Sequence, residues 1–418
     1  MISLLKTRQY YVLAAIIVVG LVLVTIGNLQ VLRGYPAGDE FIAHWEGTRA
    51  FTSDGISPYS DEASAGIDST ITGLHPDTPA AEYRFLAPLF SLLFYAPLSL
   101  IRNATLATAI WMTILEACLL LVGFTLLRHG AWKKSSIITI LLILVAMLSY
   151  PSVISLLNGD IVIISFVMIV FSILAIRRGN DETAGLMLGI SLVKPDVVFP
   201  IILFLVVWAV VGKRFRLIYW FIGTLIILVG FSMLLIPSWP LQYARSVLNY
   251  SFDNPVITIG RESLGAFTGI SGRFTIVKIV FLLAILAVEW FFIKNRETKR
   301  LYWLSTLTMS AGLWLSSRSP AEYLIFTIPG LFFGLELFME RWRGKIEYFV
   351  AGILFFLLVG EWVVSGFFLP ETMTLPSETV LEILLPGISV LLLYWSRWWA
   401  LSGKKLDEMD RFFTLKNP

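Results

Sequence analysis

The sequence predicts an all-α, polytopic membrane protein, and three observations carry that prediction. First, 57% of the 418 residues are hydrophobic and only 15% are charged, with a mean hydropathy of +0.80. A soluble protein of this length needs more polar surface than that composition supplies. Second, the apolar stretches are long and lack the strict alternation of barrel strands, so helices cross the bilayer. Third, the basic residues gather in short clusters between those stretches, which sets orientation through the positive-inside rule.

The elements follow in order. Lys6 and Arg8 precede an apolar run at 10–31. That run is too long for a signal-peptide core and lacks a small-residue cleavage site, so it reads as an uncleaved first span. The polar stretch 33–83 is rich in Asp and Glu and poor in bases, which places it outside the cytoplasm. Within it, Phe41, Ile42, Trp45 and Phe51 recur at roughly helical spacing behind Asp39 and Glu40. This predicts a short amphipathic helix on the membrane surface.

The next apolar segment, 85–101, holds Pro88 and Pro97 and is short for a span. If it does not cross, the clusters Arg177/Arg178, Lys213/Arg214/Arg216, Arg341/Arg343/Lys345 and Lys404/Lys405 all fall inside. If it crosses, every one of them flips outward. The segment is therefore expected to be re-entrant or to lie on the outer surface. That leaves about twelve spans with both termini cytoplasmic, by counting basic loops. They form a single integral-membrane domain over 1–401, with a second outer loop at 237–274 and a cytoplasmic tail at 402–418.

Two apolar runs are short: 136–150, and 184–193 just before Lys194-Pro195. Broken or short spans ending at polar residues border buried sites. Glu116 and Glu289 lie within spans, where charge is costly. An interhelical hydrogen bond is expected for Glu116, and reach to the inner interface for Glu289. Trp290, Trp303, Trp314, Trp398 and Trp399 are expected in the interfacial belt. The single cysteine, Cys118, excludes a disulfide framework and a cysteine metal site. The scattered His44, His75 and His129 point to no metal cluster. Nothing points to nucleic acid, and the net charge of +3 identifies no partner.

Under this topology the outer span ends collect Asp39 and Glu40, Asn158-Gly159-Asp160, Lys194-Pro195-Asp196, and Arg318 with Glu322 and Tyr323. Carboxylates and cations at one membrane face suit sugar transfer from a polyprenyl phosphate. The phosphate departs without protonation, so one carboxylate suffices to deprotonate the acceptor hydroxyl. Arg or Lys holds the phosphate. Each residue also has a structural reading. Asp39 or Glu40 caps a helix, Lys194 snorkels from a short span, Arg318 pairs with Glu322, and Asp160 follows a tight Asn-Gly turn.

The acidic pair before an aromatic helix, followed by Asp54-Gly55-Ile56-Ser57-Pro58-Tyr59, resembles the first outer loop of glycosyltransferase family 87 (DUF2029), which has the GT-C fold. The resemblance continues through Ala87-Pro88-Leu89-Phe90, Ala96-Pro97-Leu98, Trp111, Leu157-Asn158-Gly159-Asp160, and Ala184-Gly185-Leu186-Met187-Leu188-Gly189 ending at Lys194-Pro195. It covers the first half of the chain, and the second half only by hydropathy. It implies transfer of a hexose, often mannose, from a polyprenyl-phosphate donor to a lipid or glycan acceptor on the extracytoplasmic face of a prokaryotic plasma membrane. An acid of the first outer loop, Asp39 or Glu40, is then the base. Lys194, Arg318 and Arg84 are candidate donor-phosphate contacts. Trp45, Tyr59 and 237–274 shape the acceptor side, with Asp160 and Glu322 as further candidates. Asp160 stands where the family tends to have Gln. The reading requires no cofactor, since Lys and Arg supply the positive charge a metal would bring. The rival readings are a transporter or flippase, and a polysaccharide polymerase or ligase.

Overall fold

The computed structural model describes residues 2–35, 37–74, 83–129, 136–253, 273–291, 301–315, 321–342, 346–366 and 377–400, and among them it is helical with no strand. The helices are α1 (Ile2–Gly34), α2 (Asp39–Asp54), α3 (Asp61–Leu74), α4 (Leu92–Ser99), α5 (Ala104–His129), α6 (Ser136–Leu148), α7 (Tyr150–Asn158) and α8 (Val162–Arg177). Then come α9 (Asp181–Ile190), α10 (Pro195–Val211), α11 (Phe215–Leu235), α12 (Trp239–Asp253) and α13 (Arg273–Phe291). The last four are α14 (Leu301–Gly312), α15 (Ile328–Arg341), α16 (Ile346–Gly366) and α17 (Ser377–Ala400). Six described helices are long and apolar enough to cross a membrane, and seven if the bent pair α6–α7 counts as one span. The chain is thus an α-helical membrane protein.

Packing divides the chain into two compact units. The first comprises Met1–Ala87, Ser91–Ala117 and Leu156–Asp160; the second comprises Pro88–Phe90, Cys118–Ser155 and Ile161–Pro418.

In the first unit, α2 packs against α3 and α4. Its Phe41, Ile42 and Trp45 are buried, and α3 contributes Ile67 and Ile71. Phe41, Ile42 and Trp45 are three of the four apolar positions that the helical spacing singled out; the fourth, Phe51, is half-buried. Buried polar groups of α1 and α5 find partners in each other. Asn28 of α1 donates to Thr113 Oγ1 and to Glu116 Oε2, both at 3.1 Å, which is the interhelical bond expected for Glu116. Of the segment 85–101, this unit holds α4, with Pro97 inside it, while the 3-10 turn at Leu89–Ser91 begins in the second unit.

In the second unit, α9 packs against α8 and α11. Two glycines one turn apart explain the closeness of α9 and α11. A Cβ on Gly185 would lie 2.5 Å from Leu217 O and 2.7 Å from Phe221 N; one on Gly189 would lie 2.7 Å from Thr224 Cγ2. This is the small-residue spacing by which membrane helices bring their backbones together. Because backbone atoms of α11 cannot swing away, Gly185→Ala is expected to destabilise by about 1–3 kcal/mol, the usual cost of overpacking. A lower thermal midpoint in detergent would show this, and an unchanged midpoint would contradict the packing.

The short run 136–150 is filled by α6 and ends in a break at Ser149, where α7 continues at a bend of 40°. A break inside a membrane leaves backbone groups that must find partners. Helix α16 supplies them. Glu361 Oε2 accepts from Tyr150 N at 3.0 Å, and Trp362 Nε1 donates to Leu148 O at 3.0 Å. The basic clusters are likewise tied down. Arg214 donates through Nε to Asp181 Oδ2 at 3.2 Å and through Nη1 to Ile176 O at 3.1 Å. Arg216 pairs with Glu182. The turn after α8 and the turn after α10 are thereby joined at one end of these helices.

Two expectations are corrected here. Glu289 does not reach outward: it is buried, paired with Arg397 and hydrogen-bonded by the Tyr394 hydroxyl. Trp303 is no belt residue: it is 1% exposed, and its indole N–H donates to Leu393 O at 2.9 Å. Its role is internal, joining α14 to α17. The side chains of Trp398 and Trp399, the tail 402–418 and most of 254–274 lie outside the described residues.

Candidate active site

The acidic pair opens α2. Gly38 precedes it in a left-handed conformation, φ 97°, and a Cβ there would meet Thr108 Cγ2 at 2.6 Å. Glycine is therefore required for the chain to turn into the helix against α5. Neither Asp39 nor Glu40 is the N-cap; both lie in the first turn, at the positive end of the helix dipole. Both side chains are half-buried.

The helix beneath them is held rigidly. Phe41 stacks on Trp111 at 5.7 Å between ring centroids, and His44 stacks on Tyr95 at 5.3 Å. His44 Nδ1 donates to Glu40 O at 2.7 Å. Trp45, 1% exposed, donates its indole N–H to Leu98 O at 2.9 Å. It anchors α2 to α4 from inside. Tyr59 donates to Ala87 O at 2.8 Å and meets Phe85 edge-on at 5.4 Å. Arg49 pairs with Glu46 at 3.2 Å and lies 4.9 Å above the Trp45 ring. Burial pushes the Glu46 carboxyl above its ordinary range, with Arg49 opposing the shift and Asp54 adding to it.

One residue that sequence reasoning passed over, Tyr83, meets Asp39. The Tyr83 hydroxyl donates to Asp39 Oδ2 at 3.1 Å. The Tyr83 backbone N–H in turn donates to Asp68 Oδ1 of α3 at 2.8 Å. No local spacing announces either bond, because Tyr83 stands 44 residues from Asp39. Arg84 is half-buried beside Tyr83 in the chain. Asp160, 4% exposed, follows Gly159, whose φ of 65° makes the expected Asn-Gly turn. The first unit thus brings Asp39, Glu40, Trp45, Tyr59, Arg84 and Asp160 into one packed body.

The second unit holds the other candidates. Helix α9 has 10 residues and the 3-10 turn after it has 3. Together they rise about 20 Å, less than the hydrocarbon thickness of about 30 Å. Lys194 follows, with Pro195 at the first position of α10, where a missing N–H costs nothing. The Lys194 ammonium lies 5.8 Å from the centroid of the Tyr323 ring, within cation–π range. The Tyr323 hydroxyl donates to Asp196. Glu322 is buried, and its carbonyl accepts from Ser155 Oγ at 3.2 Å. Both residues belong to an unusually long 3-10 helix, Ala321–Thr327, a geometry seldom sustained beyond a few residues. Lys194, Asp196, Glu322 and Tyr323 are therefore neighbours in one body. Arg318 lies outside the described residues. Among those residues, no three His, Cys, Asp or Glu side chains gather into a metal-holding group.

A helical membrane body, a helix opened by two carboxylates, and a lysine–tyrosine–aspartate cluster at the end of a short apolar helix are the features on which comparison with known proteins bears. A search of curated proteins and of solved structures finds no significant match. The family model of glycosyltransferase family 87 matches residues 85–320, more than half of the chain. The match reaches well into the second half, further than the short motifs did. It begins after the acidic pair and takes in Asp160, Lys194 and Arg318. On that match, this chain belongs to glycosyltransferase family 87.

Proposed function

We propose that this glycosyltransferase moves a hexose, mannose-like, from a polyprenyl-phosphate donor to a hydroxyl of a lipid or glycan acceptor. A carboxylate of the pair Asp39 and Glu40 is the general base. The observation that carries this reading is the acidic pair itself, fixed on the first turn of a helix whose Phe41, Ile42 and Trp45 are buried. A family glycosyltransferase built of membrane helices takes a lipid-borne donor naturally, because the donor's tail stays in the bilayer.

The chemistry needs little. The base takes the acceptor hydroxyl proton, and the oxygen attacks the anomeric carbon. The bond from that carbon to the phosphate oxygen breaks, and its electrons leave with polyprenyl phosphate. The proton on the carboxyl is then lost to solvent. Lys194 is a donor-phosphate contact in this reading, pre-oriented by Tyr323; Arg318 and Arg84 are the other candidates. Trp45 and Tyr59 support the acceptor side through the packing of α2 and Ala87. Asp160 and Glu322 are candidate contacts with sugar hydroxyls. No metal is required.

The topology we propose has about twelve spans by the count of basic loops, GT-C-like, with both termini cytoplasmic in the plasma membrane. The first-loop helices and 85–101 then lie at the outer surface. The shorter apolar helices α8 and α10 are counted among the spans.

The donor class is tested with full-length protein in liposomes containing envelope lipid extract. Polyprenyl-phosphate mannose is compared with a nucleoside-diphosphate mannose. Transfer from the lipid-linked sugar alone is expected, with Lys194→Met raising the donor KM about 10- to 100-fold, the worth of one charge-assisted bond. Transfer from the nucleotide sugar alone would overturn the reading.

A further inference from the structure

We propose that Tyr83 is the positioning residue of the base and that Asp39, rather than Glu40, is that base. The inference rests on the function proposed above. It starts from a chain of two hydrogen bonds inside the first unit. Asp68 of α3 accepts the Tyr83 backbone N–H at 2.8 Å, and the Tyr83 hydroxyl donates to Asp39 Oδ2 at 3.1 Å.

The chain has a fixed origin. Asp68 is flanked by Ile67, which is fully buried, and Ile71, at 1% exposure, lies one turn on. These side chains seat α3 on α2. The backbone of Tyr83 is therefore tied to a helix that cannot slide. Its ring carries the phenol across to the first turn of α2. A neutral hydroxyl is the right donor for this task. It orients the carboxylate that accepts it without itself bringing a positive charge there. The orientation of the carboxylate is set before the acceptor arrives, and such preorganisation is where positioning accelerates proton transfer.

The step balances without Tyr83 changing state. The acceptor proton passes to Asp39, the glycosidic oxygen–carbon bond forms, the carbon–phosphate-oxygen bond breaks, and polyprenyl phosphate carries off the electron pair. Tyr83 keeps its own proton throughout. It holds the base and does not touch the reacting atoms.

The test uses the full chain in liposomes with polyprenyl-phosphate mannose and envelope lipid extract, reading kcat and donor KM separately. Tyr83→Phe removes one oxygen and keeps the ring. It is expected to lower kcat about 10- to 100-fold, the equivalent of one hydrogen bond to a charged group, with donor KM within about twofold. Asp68→Ala should lower kcat in the same way, and Asp68→Asn, which keeps the Oδ1 acceptor, should restore it. In an Asp39→Asn background, Tyr83→Phe should cause no further loss, since coupled residues are not additive.

Full kcat in Tyr83→Phe alongside an inactive Asp39→Asn would overturn the positioning role and leave the base reading intact. An additive loss in the double variant would do the same, because it marks a purely structural effect. An active Asp39→Asn with an inactive Glu40→Gln would overturn this assignment and retain the proposed chemistry. An absence of turnover by the wild type would overturn the donor reading and this inference with it.

Discussion

Asp39→Asn is expected to abolish transfer while leaving the fold unchanged. The amide has the carboxylate's size and still offers an oxygen to the Tyr83 hydroxyl, which donates to Asp39 at 3.1 Å. The first turn of α2 and the packing of Phe41 and Trp45 beneath it stay in place. What is lost is basicity. General-base catalysis contributes about 10²- to 10⁴-fold, so kcat should fall by that factor, equivalent to about 3–5.5 kcal/mol of barrier. Glu40→Gln is expected to cost far less. The check is kcat at equal membrane abundance and equal thermal midpoint. A retained midpoint with lost turnover separates chemistry from folding, and retained turnover contradicts the role of Asp39.

The second large effect is expected from Gly159→Ala, and it is structural. Gly159 has φ 65°, and a Cβ there would lie 2.6 Å from Phe41 Cβ and 3.3 Å from Trp111 Cδ1. The clashing atom is the root of a fully buried side chain stacked on Trp111, so no rotamer change relieves it. Trp111 also donates its indole N–H to Gly159 O at 2.8 Å, which holds the glycine against the rings. Left-handed strain costs about 1–2 kcal/mol and overpacking about 1–3 kcal/mol, so a loss of about 2–5 kcal/mol is expected. The displaced Phe41 is two residues from Asp39, so turnover should fall with stability. Gly20→Ala is the control. Nothing lies within 4 Å of a Cβ at Gly20, and helix propensity favours alanine there. Equal thermal midpoints for Gly159→Ala and wild type would contradict this account of the turn.

The local features of the fold were legible in the sequence, and the reason is physical. Helical spacing of Phe41, Ile42 and Trp45 behind two acids marked α2 because an amphipathic helix needs that period. Asn158-Gly159 marked a turn because glycine tolerates the backbone it requires. Lys194-Pro195 marked a helix boundary because proline disfavours helix at the residue before it. What stayed hidden depends on partners far along the chain. The bend between α6 and α7 is stable because Glu361 and Trp362, 211 and 214 positions from their partners, satisfy its backbone. Glu361, like Glu116 and Glu289, is a carboxylate in an apolar run, which is itself a signal of a buried partner. Trp303 read as a belt residue because tryptophan near a span end fits that role. Its burial is decided by α17, 90 positions away. The pairing of Asp196 with Tyr323 spans 127 positions, and the grip of Tyr83 on Asp39 spans 44. The carboxylates of the candidate site and Tyr323 could be found from sequence, but Tyr83 and the bonds that the two hydroxyls make could not.

The most direct test of the central claim is mass spectrometry of envelope lipids and glycans from cells expressing wild type, Asp39→Asn or neither, at equal membrane abundance. The account predicts a hexose-bearing product that appears with wild type and is absent from both other samples. The same product in cells carrying Asp39→Asn would contradict it.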